Sequence, residues 1–111
     1  MVPHPLIYDW NHDASPEGPD KPVAMLDDET LRDGLQSPSV RNPTIEEKIG
    51  ILHHMDELGI DTADIGLPGA GPKVARDVER FACAIADGRL KIAANCAACI
   101  MVADIKPIAE I

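Results

Sequence analysis

The sequence predicts an α/β fold built on a parallel sheet, and three observations carry that reading. Short apolar runs begin near Val23, Ile60 and Leu90, stretches of helical period separate them, and glycines and prolines mark the junctions. The resulting order is strand, helix, strand, helix, strand and the opening of a helix, which parallel pairing with crossover connections explains. Three strands with barely two full helices cannot cover both faces of such a sheet. The 111 residues are therefore expected to be part of a larger arrangement. Two architectures fit: a doubly wound open sheet, or the first portion of an eight-stranded barrel of about 250 residues.

Each element has its reason. Residues 1–22 hold five of the ten prolines and are expected to form an extended amino-terminal arm, anchored by Leu6, Ile7, Tyr8 and Trp10. Residues 23–111 are expected to be the folded catalytic part. "VAML", residues 23–26, predicts a short buried strand ending at Asp27 and Asp28. "NPTIEEKIGILHHMDELG" predicts a helix capped by Thr44, with Glu47 as its capping-box partner and Gly59 as its left-handed stop. Its apolar stripe is Ile45, Ile49, Leu52 and Met55. "IDTADIGL", residues 60–67, predicts the second strand, and "PGAGP" the break after it. A second helix is expected over residues 72–87, with Pro72 in its first turn, Val74, Val78, Phe81 and Ile85 as its stripe, and Gly88 as its stop. "LKIAANCA", residues 90–97, predicts the third strand and "DIKPIAEI" the start of a third helix.

Composition narrows the function. A net charge of −9 argues against a nucleic-acid partner, because phosphate neutralisation needs a surface rich in Lys and Arg, and it disfavours an anionic membrane surface. No apolar run approaches the roughly 20 residues of a membrane span, and the first residues show no signal-peptide pattern. Three cysteines do not read as a disulfide framework. The expectation is a cytoplasmic protein with reduced thiols.

The chemistry concentrates in "DDETLRDGLQ", residues 27–36. Ligands sit beyond the carboxyl ends of the strands in both architectures, and this segment follows the first strand directly. Asp33 offers a hard carboxylate oxygen of the kind that Mg²⁺ or Mn²⁺ prefers. Arg32 offers a permanently charged planar donor array, suited to a carboxylate or a developing oxyanion. Neighbours in an extended strand point to opposite faces, so the two can share a site only where the strand has ended, a turn that Gly34 eases. The plainer alternative is an ordinary Asp-Gly turn with Arg32 in a surface ion pair.

"DETLRDGLQ" resembles the motif D-x-T-L-R-D-G-x-Q of the metal-dependent acyl-CoA aldol and Claisen enzymes called DRE-TIM metallolyases. Asp28, Thr30, Leu31, Arg32, Asp33, Gly34 and Gln36 carry the match, and the likeness extends over about residues 23–111. The resemblance implies a (β/α)8 TIM barrel of which this chain is the amino-terminal part, about three βα units, with one divalent metal (Mg²⁺, Mn²⁺ or Zn²⁺) at the strand carboxyl ends. It implies that Asp33 ligates the metal, that Arg32 stabilises an enolate-like oxygen, and that Gln36 and Asp64 lie near the substrate. Synthases of the 2-isopropylmalate type, which belong to leucine biosynthesis, would condense acetyl-CoA with a 2-oxo acid and typically form homodimers. The alternatives are a 3-hydroxy-3-methylglutaryl-CoA lyase-like cleavage and a non-catalytic α/β binding module. The chain departs from the family pattern in four places: Leu35 replaces the glutamate of many synthases, Asp64 stands where a glutamate is common, Cys99 stands where an arginine is expected, and no His-x-His pair follows. The chain by itself is accordingly expected to be inactive.

Three further motifs have plainer explanations. Cys96 and Cys99 form C-x-x-C, but Cys83 alone does not complete a zinc site, and all three are expected to be buried or to pack beside the core. "GAGPKV" from Gly69 lacks the third glycine of a phosphate-binding loop. His53 and His54 lie on the first helix, away from the strand ends.

Overall fold

The computed structural model describes residues 24–111; the expected arm and Val23 lie outside the described residues. The elements follow the order β1 (Asp27–Asp28), α1 (Ile45–Leu58), β2 (Thr62–Asp64), α2 (Pro72–Gly88), β3 (Ala93–Asn95) and α3 (Val102–Ala109), with short 3₁₀ turns at Gly34–Gln36 and Pro68–Ala70. The three strands are parallel and adjacent in chain order. Asp27 pairs with Thr62, Thr62 with Ala93, and Asp64 with Asn95.

The ends of α1 form as expected. Thr44 accepts the Glu47 amide, the Glu47 carboxylate accepts the Thr44 amide, and Gly59 takes φ 78°. The Glu47 carboxyl is held below the ordinary value of 4.5, first by the Thr44 amide and then by Arg41. On α2, Val78 and Phe81 are fully buried, while Val74 and Ile85 pack at the rim. With Leu52 and Met55 from α1, Leu31, and Ala63, Ile65 and Ile92 from the strands and their extensions, they make one core. Burial of each large side chain contributes about 1.5–3 kcal/mol.

One sheet face meets this core and the other does not. Ala63 and Ile65 point to the helices, as alternation requires, and are buried. Thr62 and Asp64, with their partners Asp27 and Asn95, occupy the opposite face. That face is polar and internally bonded: Asp27 accepts from the Thr62 hydroxyl and, at 2.7 Å, from Asn95 Nδ2.

Several expectations are corrected. β1 covers only Asp27–Asp28, and residues 24–26 are exposed rather than buried, Met25 by 69%, because no helix among the described residues covers the upstream end of the strand. Leu26 still joins β2 through its backbone: its carbonyl accepts from the Asp61 and Thr62 amides, and its amide bonds the Asp61 carboxylate at 2.8 Å. β2 and β3 are three residues each, shorter than their apolar runs, since regular pairing stops where the neighbouring strand does. α2 runs through Gly88, and Arg89 takes the left-handed conformation instead, φ 51°. The Leu90 amide then returns to the Ile85 carbonyl, and Leu90 packs on the core. α3 starts two residues before Asp104 and accommodates Pro107. No helix among the described residues is long and apolar enough to cross a membrane.

The capping box gives a direct check. Thr44→Ala is expected to cost about 1 kcal/mol, read as a lower urea midpoint with an unchanged m-value. Because the Glu47 carboxyl is held low in the folded state, its contribution is complete above the unfolded value and is lost as pH falls through the folded one. Glu47→Gln is expected to flatten the pH dependence of the midpoint below about pH 4.5.

Candidate functional site

The turn after β1 is built from backbone before any side chain acts. The Asp28 carboxylate accepts the Thr30 amide at 2.8 Å, an Asx-turn that ends the strand. The Glu29 carbonyl then gathers three amides, from Arg32, Asp33 and Gly34, at 2.9–3.2 Å. Asp33 is helical, φ −71° and ψ −40°. Arg32 and Asp33 therefore leave the strand together. Gly34 is not the device expected for this. It lies outside the positive-φ glycines, and a β-carbon there would meet only ordinary contacts, the nearest Thr30 Cγ2 at 3.6 Å.

Arg32 stands at the centre of the charges. Its Nε donates to Asp64 Oδ2 at 2.5 Å, one Nη pairs with Glu29, and the other lies 3.5 Å from Asp33 Oδ1. The hydrogen bond to Asp64, opposed by desolvation and reinforced by the charges of Asp64, Glu29 and Asp33, raises the guanidinium further above its ordinary value. Asp64 is 5% exposed, and its second oxygen accepts the Gly66 amide at 3.0 Å. Aspartate in place of glutamate thus still reaches the arginine. Both of its oxygens are engaged, so Asp64 acts as Arg32's anchor.

A cleft of about 260 Å³ opens between the segments after β1 and β2 and the helices α1 and α2. Arg32, Leu35, Gln36 and Asn42 line it, with Leu31, Ile65, Val74 and Phe81 among its apolar residues. Gln36 and Arg32 are thus brought to one cleft, while Asp33 lies outside that lining with its side chain 64% exposed. Sequence reasoning missed Lys48, which also lines the cleft and is buried, its Nζ 2.9 Å from Asp77 on α2. The signal was present: Lys48 lies three residues after Ile45 and four before Leu52, squarely on the apolar stripe.

The residues do not by themselves fit a divalent ion. Asp33 offers one open carboxylate, Asp64 is committed twice over, and no group of three His, Cys, Asp or Glu suited to a metal occurs among the described residues. The C-x-x-C pair also differs from expectation. Cys83, on α2, and Cys99 are exposed, and only Cys96, which packs against the core, is half-buried. "GAGPKV" has a packing explanation: a β-carbon on Gly69 would sit 2.6 Å from the Asp104 carboxylate of α3, and Gly71 enters α2 at φ 144°. His53 and His54 are exposed on α1.

A 2-isopropylmalate synthase of Prochlorococcus marinus (strain MIT 9301) is 39% identical over 61 residues, 55% of this chain and 11% of the relative. An (R)-citramalate synthase of Streptomyces coelicolor is 44% identical over 55 residues, 50% of this chain and 10% of the relative. A probable 2-isopropylmalate synthase of Methanopyrus kandleri is 51% identical over 43 residues, 39% of this chain and 8% of the relative. The chain has homologues among these synthases. It spans about a tenth of the length of the curated synthases it matches. No protein-family model and no solved structure matches it.

Two outcomes test the site's geometry. Asp64→Ala leaves the buried Gly66 amide without its acceptor and is expected to cost about 1–3 kcal/mol, measured by chemical denaturation. Burial, with a smaller contribution from the Asp64 charge, pushes the Cys96 thiol above its ordinary range. Limiting iodoacetamide at pH 8 is therefore expected to label Cys83 and Cys99 before Cys96, read by peptide mass spectrometry.

Proposed function

We propose that this chain is the amino-terminal strand–helix part of a synthase-like acyltransferase, which condenses acetyl-CoA with a 2-oxo acid in a Claisen reaction of the 2-isopropylmalate synthase kind. The observation that carries the reading is the Arg32–Asp64 bond beside Asp33, with Arg32 and Asp33 inside the nine-position motif. Removing a proton from the carbon next to the thioester carbonyl puts negative charge on the carbonyl oxygen, and a fixed guanidinium at the strand ends is suited to receive it. Asp64 holds Nε and so fixes the plane of the guanidinium, while Gln36 offers an amide to the same cleft.

The polar sheet face supports a (β/α)8 barrel over a doubly wound sheet. A second helix layer needs an apolar face to pack against, whereas Asp27, Thr62, Asp64 and Asn95 present polar groups bonded to each other or to Arg32. Such a face suits the lining of a barrel at its catalytic end. A divalent ion would take Asp33 as one ligand, with its other ligands from outside the described residues. General base and thioester contacts likewise lie elsewhere.

The 111-residue chain is expected to release no thiol from acetyl-CoA with 2-oxoisovalerate or pyruvate. Grafted in place of the corresponding segment of the Methanopyrus kandleri synthase, residues 24–111 are expected to support thiol release. In that graft Arg32→Gln should lower kcat by about 10²–10³. A graft whose Arg32→Gln variant turns over within a few-fold of its parent would falsify the proposal.

A further inference from the structure

Arg32 is saturated with anions before any ligand arrives. Asp64, Glu29 and Asp33 surround one guanidinium, so three acids and one base leave the cluster at a formal charge of −2. An incoming carboxylate or enolate oxygen meets both that repulsion and occupied donors.

The three acids are not equally fixed. The Asp64 side chain is 7% exposed and also bonds the Gly66 amide, so it stays. Asp33 is 64% exposed and only at the limit of contact, 3.5 Å. Glu29 is half-exposed, and its carboxylate closes directly on one Nη of Arg32. The turn does not depend on this side chain, because the three amides are gathered by the Glu29 backbone carbonyl. The carboxylate can swing into solvent without dismantling the segment that presents Arg32.

We infer that Glu29 is an internal competitor at Arg32: its carboxylate occupies the Nη donor that an anionic ligand oxygen must take, and it is displaced when the ligand binds. The inference rests on the reading of Arg32 as the anion-receiving group. It adds a specificity element, because an anion displaces Glu29 only by offering the guanidinium a better partner. A fully charged carboxylate or enolate oxygen, which takes a charge-assisted N–H bond, does so, whereas a neutral carbonyl or hydroxyl oxygen does not. The cost to the ligand is modest, since a half-exposed ion pair is largely screened by water.

The test uses the intact 111-residue chain with pyruvate as the probe, titrated by the backbone amide shifts of residues 27–36. Glu29→Gln and Glu29→Ala are each expected to bind pyruvate about fivefold more tightly than the parent, the size of a solvent-screened ion pair plus one removed like charge. Both variants should keep the parent's amide spectrum outside residues 27–36, and Arg32→Ala should abolish binding in either background. Equal or weaker affinity in both Glu29 variants overturns the competitor while leaving Arg32 as the anion-receiving group. Binding that survives Arg32→Ala, or no binding to any variant, overturns both.

Discussion

The bond between Arg32 and Asp64 joins the turn after β1 to the end of β2, two segments 32 residues apart in the chain, and the site has its shape because of it. Backbone hydrogen bonds to Glu29 and Asp28 can close the turn, but they cannot aim a long, flexible arginine. Asp64 aims it, and Asp64 is itself held by the Gly66 amide. Gly66 in turn exists for the core. Its φ is 145°, and a β-carbon there would lie 2.8 Å from Val78 Cγ2, so the absence of a side chain lets α2 settle on β2. One chain of contacts therefore runs from the core residue Val78 through Gly66 and Asp64 to the exposed edge of Arg32. A desolvated ion pair is a weak source of stability, since dehydrating the charges offsets their attraction. Its value here is orientation.

What the sequence made legible was whatever depends on near neighbours. Thr44, Glu47 and Gly59 define α1 because caps are short-range devices, and the stripe from Val74 to Ile85 defines α2 because burial repeats with the helical period. The parallel direction of the strands followed from the alternation of elements. The turn that carries Arg32 and Asp33 was readable because it is local, closed by amides on the Glu29 carbonyl. Leu26 and Arg89 show the opposite case. An apolar residue before a strand is buried only if something covers it, and a helix ends where the next side chain, here Leu90, finds the core. Neither condition is written in the local sequence. Lys48 was hidden for a related reason: a lysine inside an apolar stripe looks like an interruption until Asp77 arrives from another helix to neutralise it. Cys83 erred the other way, beside the stripe in sequence yet turned to solvent.

The polar face of the sheet also changes how its two edges behave. Among the described residues Asp27–Asp28 forms one edge of the sheet and β3 the other, where Ala93, Ala94 and Asn95 carry no charge and are exposed. The Asn95 amide already leans back across β2 to Asp27, which ties the third strand to the first and keeps the polar groups of all three in one bonded layer. A strand added at β3 would meet small side chains that hinder nothing. Its own residue level with Asn95 would stand beside the layer in which Asp64 holds Arg32. Because register fixes which residues share a level, such a strand could contribute to the chemistry of this site without touching the core that α1 and α2 have built.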